Sequence, residues 1–181
     1  MFKKSLSSII TFSLIAILLL SACKPVENLL SKSEPLVLTD GLNRTVALAA
    51  PAQRIISLAP SNTEILFAVG AGAQVIGRDE FSNYPQKAVS LPSVGGSFGE
   101  YNSETIVNLK PDLVLAAEIN SPEQVKTLED LGLTVYYLSN PQDLPGMYEN
   151  LLLVAKMTGH EAEANKLVED LKERVAAVEA S

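Results

Sequence analysis

The sequence predicts an α/β fold: a three-layer sandwich around a mainly parallel sheet, ending in a long helix. Three observations predict it. After an initial hairpin, short apolar runs alternate with helical stretches, the pattern of βαβ units. The runs at Ile55-Ile56-Ser57-Leu58, Leu113 to Ala116 and Thr134 to Leu138 are compact and apolar, as buried strands are. The segment Glu161 to Ala180 keeps Ala164, Leu167, Val168, Leu171, Val175 and Val178 on one helical stripe.

The elements follow in order. Lys3 and Lys4 form a basic start, Ile9 to Leu20 an apolar run, and Leu20-Ser21-Ala22-Cys23 a small-residue close. That is the pattern of a secretory signal peptide over residues 1–22. The apolar run falls short of the ~20 residues of a membrane span. Its end resembles the lipobox of bacterial lipoproteins, which implies cleavage before Cys23 and a lipid on that cysteine. Cys23 is the single cysteine, so no intrachain disulfide can form. Residues 23–35 carry Lys, Pro, Ser and Glu without a period and read as a tether.

Leu36 to Thr39 and Arg44 to Leu48, joined through Asp40-Gly41, read as a β-hairpin. Arg54 to Gly70 reads as strand, loop and helix, with Ser61 and Glu64 spaced as a capping box and Ile65, Leu66 and Val69 facing inward. Gln74 to Gly77 is a second strand. Two loops follow: Phe81-Ser82-Asn83-Tyr84-Pro85, in which Tyr84 reads as a packing residue, and the glycine-rich stretch from Val94 to Gly99. Ser103 to Leu109 is a short helix with Ile106 and Leu109 inward. Ser121 caps a helix with Pro122 at its first position and Val125, Leu128 and Leu131 inward. Leu144 to Met157 is helical up to Gly159. The predicted organisation is a lobe over 36–158 and a long helix over 159–181.

Several chemistries are excluded. The net charge is −7 with no basic patch, which argues against nucleic acid as a partner. His160 is the only histidine, so no multi-histidine metal site forms and a histidine-based hydrolase is disfavoured; it reads as a surface or capping residue. The glycines of 70–77 follow a helix rather than a strand, and those of 95–99 lack a Gly-Lys-Ser/Thr ending, so neither is a nucleotide loop. The expectation is a binder and not an enzyme, with no resident cofactor.

Four stretches in order carry a family resemblance: Arg54 to Glu64; Val75-Ile-Gly-Arg-Asp-Glu-Phe-Ser-Asn-Tyr-Pro85; Val94-Gly-Gly with Asn102-Ser-Glu-Thr-Ile106; and Leu109-Lys-Pro-Asp-Leu-Val-Leu115. Together, behind a lipobox, they resemble the bacterial ABC-transporter substrate-binding lipoproteins of the iron-complex (siderophore/haem) and cobalamin class. The resemblance covers roughly Leu36 to Ala180. It implies two α/β lobes joined by one long helix, a metal chelate between them (a cobalt corrinoid or an iron chelate), and an ABC permease dimer as partner. It also implies an extracytoplasmic protein held on a membrane through its lipid. The second lobe is absent from the sequence, so the chain is expected to be truncated.

Site residues follow from the same resemblance. Glu104 matches a glutamate that docks on permease arginines, and it also suits the start of its helix by the dipole. Phe81 and Phe98 match aromatics that touch the corrin, with Ser97 competing with Phe98 for the second position. Asn62, in the loop before the first helix, and Arg78 are further ligand candidates; Arg78 also reads as a surface charge. The alternative is a single-lobe interaction or sensor lipoprotein without a transport role, binding through the stripe of the last helix.

Overall fold

The computed structural model describes residues 34–96 and 100–181. The expected signal peptide, the lipidation site Cys23 and most of the tether lie outside them. So do Ser97 and Phe98.

Strands β1 (Leu36–Thr39) and β2 (Thr45–Leu48) pair antiparallel as a separate two-stranded sheet. A left-handed residue does occur in the turn, but it is Asn43 (φ 59°) and not Gly41. Gly41 instead packs closely: a Cβ there would meet the Ser139 hydroxyl and the Tyr137 ring, so one of them would have to shift. The turn thus presses against the body of the domain. The Gly41 N–H donates to the Tyr137 carbonyl at 2.9 Å, and the Tyr136 hydroxyl donates to the Thr39 carbonyl at 3.0 Å.

The main sheet holds β3 (Ile55–Ser57), β4 (Val75–Arg78), β5 (Leu113–Ala117) and β6 (Val135–Leu138), in the order β4-β3-β5-β6. Every pairing is parallel. Side chains alternate across it, as a period of two dictates. Ile55, Leu113, Leu115, Tyr136 and Leu138 enter one core with the hairpin. Ile56, Val114, Ala116, Val135 and Tyr137 enter the other. A sheet buried on both faces needs strands without polar alternation, which explains the apolar runs.

The first core is covered by α1 (Pro60–Ala68), α4 (Leu144–Thr158) and α5 (Glu161–Glu179). The second is covered by α2 (Ser103–Leu109) and α3 (Pro122–Asp130). This is the expected three-layer sandwich. Short 3₁₀ turns at Ala71–Gln74 and Gln86–Ser90 join the elements around β4.

Local readings meet the structure unevenly. Ser121 caps α3 with Pro122 in the first turn, as expected, and Gln124 completes a reciprocal capping box. The capping box at Ser61 does not form. Helix α1 starts two residues earlier, with Ala59 as its cap and no side-chain cap bond. Pro60 takes the first helical position, where its fixed φ suits the helix, and Ser61 is left exposed inside the first turn. Leu131 is 49% exposed, because α3 ends before it and Gly132 turns the chain at φ 82°. Tyr84 is 64% exposed, so it is a surface aromatic and not a packing residue. His160 stands at the cap of α5, with its Nε2 3.0 Å from the Gln74 amide oxygen.

Candidate functional site

The strand order reverses between β3 and β5: after β3 the chain crosses to β4 on one side and then returns to β5 on the other. Open α/β sheets hold ligands outside the carboxyl ends of their strands at such a switch point. The residues that follow β3, β4 and β5 therefore make the candidate site: Leu58 to Thr63, Asp79 to Tyr84 and Glu118 to Asn120.

The β4 loop is tied to β3 by buried hydroxyls. Thr63 Oγ1 donates to Ser57 Oγ at 2.8 Å, and Ser82 Oγ lies 2.8 Å from Thr63 Oγ1 on its other side. Ser82 Oγ also donates to Asp79 Oδ2, while Asp79 Oδ1 accepts the N–H groups of Phe81 (2.8 Å) and Ser82 (3.1 Å). Asp79, Ser82, Thr63 and Ser57 are all buried. A satisfied buried network of this kind fixes one loop conformation. Its product is Phe81, held in a tight turn and left 55% exposed.

The β5 loop is tied to the same strand from the other side. Tyr101 Oη donates to the Leu58 carbonyl at 2.9 Å and accepts from Asn120 Nδ2 at 2.7 Å; Asn120 Oδ1 accepts the Ala117 N–H at 2.8 Å. Burial pushes the Tyr101 phenol up. The bond from Asn120 works against this and the Asp79 carboxylate adds to it, and the net shift is upward. The neutral phenol keeps the proton it donates to Leu58. Beside this clamp the glycine loop closes at its neck, where the Gly96 N–H donates to the Glu100 carbonyl at 2.7 Å.

Two sequence candidates have hydrogen-bond partners within the fold. Asn62 is 1% exposed, and its Nδ2 donates to the Leu115 carbonyl at 3.1 Å, so its amide pins α1 to β5. Arg78 spends its guanidinium on carbonyls: Ala88 (3.0 Å), Asp79 (2.7 Å), Glu80 (3.1 Å) and Val89 (3.4 Å). These bonds brace the loop. Glu104 is exposed in the first turn of α2, whose cap is Asn102 accepting the Thr105 N–H at 2.8 Å. Sequence reasoning missed the Tyr101–Asn120 clamp and the exposure of Ile119. No local pattern marks either one.

A family model described as "Periplasmic binding protein" matches residues 55–181. An uncharacterized ABC transporter substrate-binding lipoprotein of Bacillus subtilis is 32% identical over 169 residues, 88% of this chain and 53% of that protein. A vitamin B12-binding protein of Vibrio vulnificus is 41% identical over 104 residues, 57% of this chain and 37% of that protein. Among solved structures, the periplasmic vitamin B12 binding protein of Vibrio cholerae superposes with a TM-score of 0.63 at 34% identity, covering 70% of this chain and 49% of that one. A periplasmic heme binding protein of Pseudomonas aeruginosa gives a TM-score of 0.64 at 30% identity, covering 70% and 45%. The chain spans about half the length, or less, of the curated relatives it matches.

Proposed function

From the premise that the chain belongs to the periplasmic binding protein family, we propose that it is the solute-binding component of an ABC importer for a metal chelate. Cobalamin is the first choice of ligand, with a ferric siderophore or haem as alternatives. The observation that carries the reading is Phe81: a large aromatic left 55% exposed, on a loop locked by buried hydrogen bonds, at the ligand-binding edge of the sheet. A rigid aromatic offers flat apolar contact to a macrocycle. The relatives' names, vitamin B12-binding and heme-binding, support the same class.

Within this reading residues 36–158 are one substrate-binding lobe, and the helix from 159 leads toward the other wall of a cleft. Phe98 or Ser97 adds a contact from the glycine loop. Cys23 carries the lipid that holds the protein on the outer face of a membrane. Glu104 docks on a cationic side chain of the permease, where a charge-assisted contact steers encounter and fixes orientation. The protein binds and delivers; it performs no reaction.

The test is direct titration of the chain with cyanocobalamin and haemin, followed by absorbance and equilibrium dialysis. Saturable binding of either one that weakens about tenfold in Phe81→Ala is expected, the factor that covering one large apolar side chain supplies. Binding indifferent to that substitution removes the proposal's main support.

A second reading, an interaction lobe without a transport role, is favoured by one feature. Leu144, Leu171, Val175 and Val178 line an apolar groove along α5, with Val178 74% exposed. Concentration-dependent self-association of the chain, abolished by Val175→Glu, distinguishes it from the first.

A further inference from the structure

We infer that this sheet edge selects an uncharged chelate by its flat apolar face, with Ile119 as a ligand contact opposite Phe81. The inference rests on the receptor reading and narrows its ligand. Ile119 is 69% exposed, more than Phe81. It is not a loose loop residue, because both neighbours are fixed. Asn120 is buried in the clamp with Tyr101 and Ala117. The Glu118 carboxylate accepts from the Asn140 N–H at 3.0 Å and from Asn140 Nδ2 at 3.1 Å. The fold thus spends four side-chain bonds to hold a bare aliphatic group in water at the switch point. Such a group gains by being covered.

The spacing sets the shape of what covers it. β4 and β5 flank β3, so the loops bearing Phe81 and Ile119 start two strand spacings apart, ~10 Å. A flat ring system of tetrapyrrole size spans that gap, and a small hydrated ion does not.

The charges set its electrostatics. The carboxylates around this edge are Asp79, Glu80, Glu100 and Glu118. The cation beside it, Arg78, has its guanidinium turned onto four carbonyl groups. Among the described residues of the edge, Arg78 is the one cation set against these four carboxylates, so the edge is net negative and disfavours the carboxylates of a siderophore or the propionates of a haem. An anion brought here meets like charge.

The experiment is equilibrium dialysis of the full 181-residue chain against cyanocobalamin, haemin and ferric citrate at neutral pH. Wild type is compared with Ile119→Asp and with Val37→Asp, a control at an exposed position on β1. Cyanocobalamin is expected to bind more tightly than either anionic probe. Ile119→Asp should weaken it roughly tenfold or more, and Val37→Asp should leave it unchanged. A second variant, Ile119→Trp, guards against misfolding as an explanation. The chain has no tryptophan, so the new indole is a unique reporter, and its emission should be quenched saturably by the bound chromophore. Wild-type affinity in Ile119→Asp, an unquenched indole at saturation, or tighter binding of ferric citrate or haemin overturns the inference alone. Failure of wild type to bind any of the three overturns the receptor reading and the inference with it.

Discussion

Replacing Asp40 with alanine should cost the domain about 3 kcal/mol, and part of that cost should be lost in acid. Asp40 is 5% exposed. Its carboxylate accepts the N–H groups of Leu42 and Arg44, each at 3.0 Å, and of Tyr137 at 3.3 Å, and it pairs with the Arg44 guanidinium. Alanine leaves three backbone donors without their acceptor, at about 1 kcal/mol each. Breaking a fully buried ion pair costs about 3–5 kcal/mol, but Arg44 is partly exposed and keeps Glu129 at 2.8 Å, so little is added. For a unit of this size the loss corresponds to a fall in Tm of about 6–12 °C.

The pH dependence follows from linkage. Burial pushes the Asp40 carboxyl up; the Arg44 side chain and the backbone donors of Arg44, Leu42 and Tyr137 outweigh it, and the net result lies below the ordinary 3.8. A carboxyl lowered by folding stabilises the fold above its unfolded pKa, and that contribution is lost as pH falls through the folded value. Urea unfolding of wild type and Asp40→Ala at pH 7, 5 and 3 measures the difference. The two curves should lie far apart at pH 7 and 5 and begin to converge at pH 3. A gap under about 1 kcal/mol at pH 7, or one that stays constant down to pH 3 and below, refutes the reasoning.

Three other outcomes are expected. Asp79→Ala removes the acceptor for Phe81 N–H, Ser82 N–H and Ser82 Oγ, so hydrogen exchange at Phe81 and Ser82 should speed up and chelate affinity should drop several-fold. Gly159→Ala places a side chain at φ 79° with its Cβ 3.3 Å from Pro51, and thermal unfolding should show a loss of at least about 1 kcal/mol. Glu104→Gln sits on the surface of α2 and should change Tm by less than about 2 °C. It should nonetheless slow association with permease-containing nanodiscs, most strongly at low salt; unchanged association removes Glu104 from the docking contact.

The architecture was legible because its causes are local. Strands buried on both faces must be apolar throughout, and helices capped by Ser121, stopped by Gly159 or begun at Pro122 announce themselves within a few residues. The site was legible only in part. Phe81 could be named from its motif, yet its exposure depends on Ser57, Thr63, Ser82 and Asp79 meeting in space. Asn62 and Arg78 look from the sequence like open polar groups. Whether an amide or a guanidinium faces a ligand or a buried carbonyl depends on what lies opposite, and for Asn62 that is Leu115, 53 residues away. The clamp that presents Ile119 joins Leu58, Tyr101 and Asn120 across two strands and a loop. The sequence by itself therefore determined the layers, the parallel sheet and the motif order that marks the family. The tertiary structure alone decided strand order, the inward turn of Asn62, the carbonyl partners of Arg78, and the outward turn of Tyr84 and Ile119. The physical reason is range: capping and periodicity act within a turn or a strand, whereas burial and hydrogen-bond satisfaction are settled between segments that only the fold brings together.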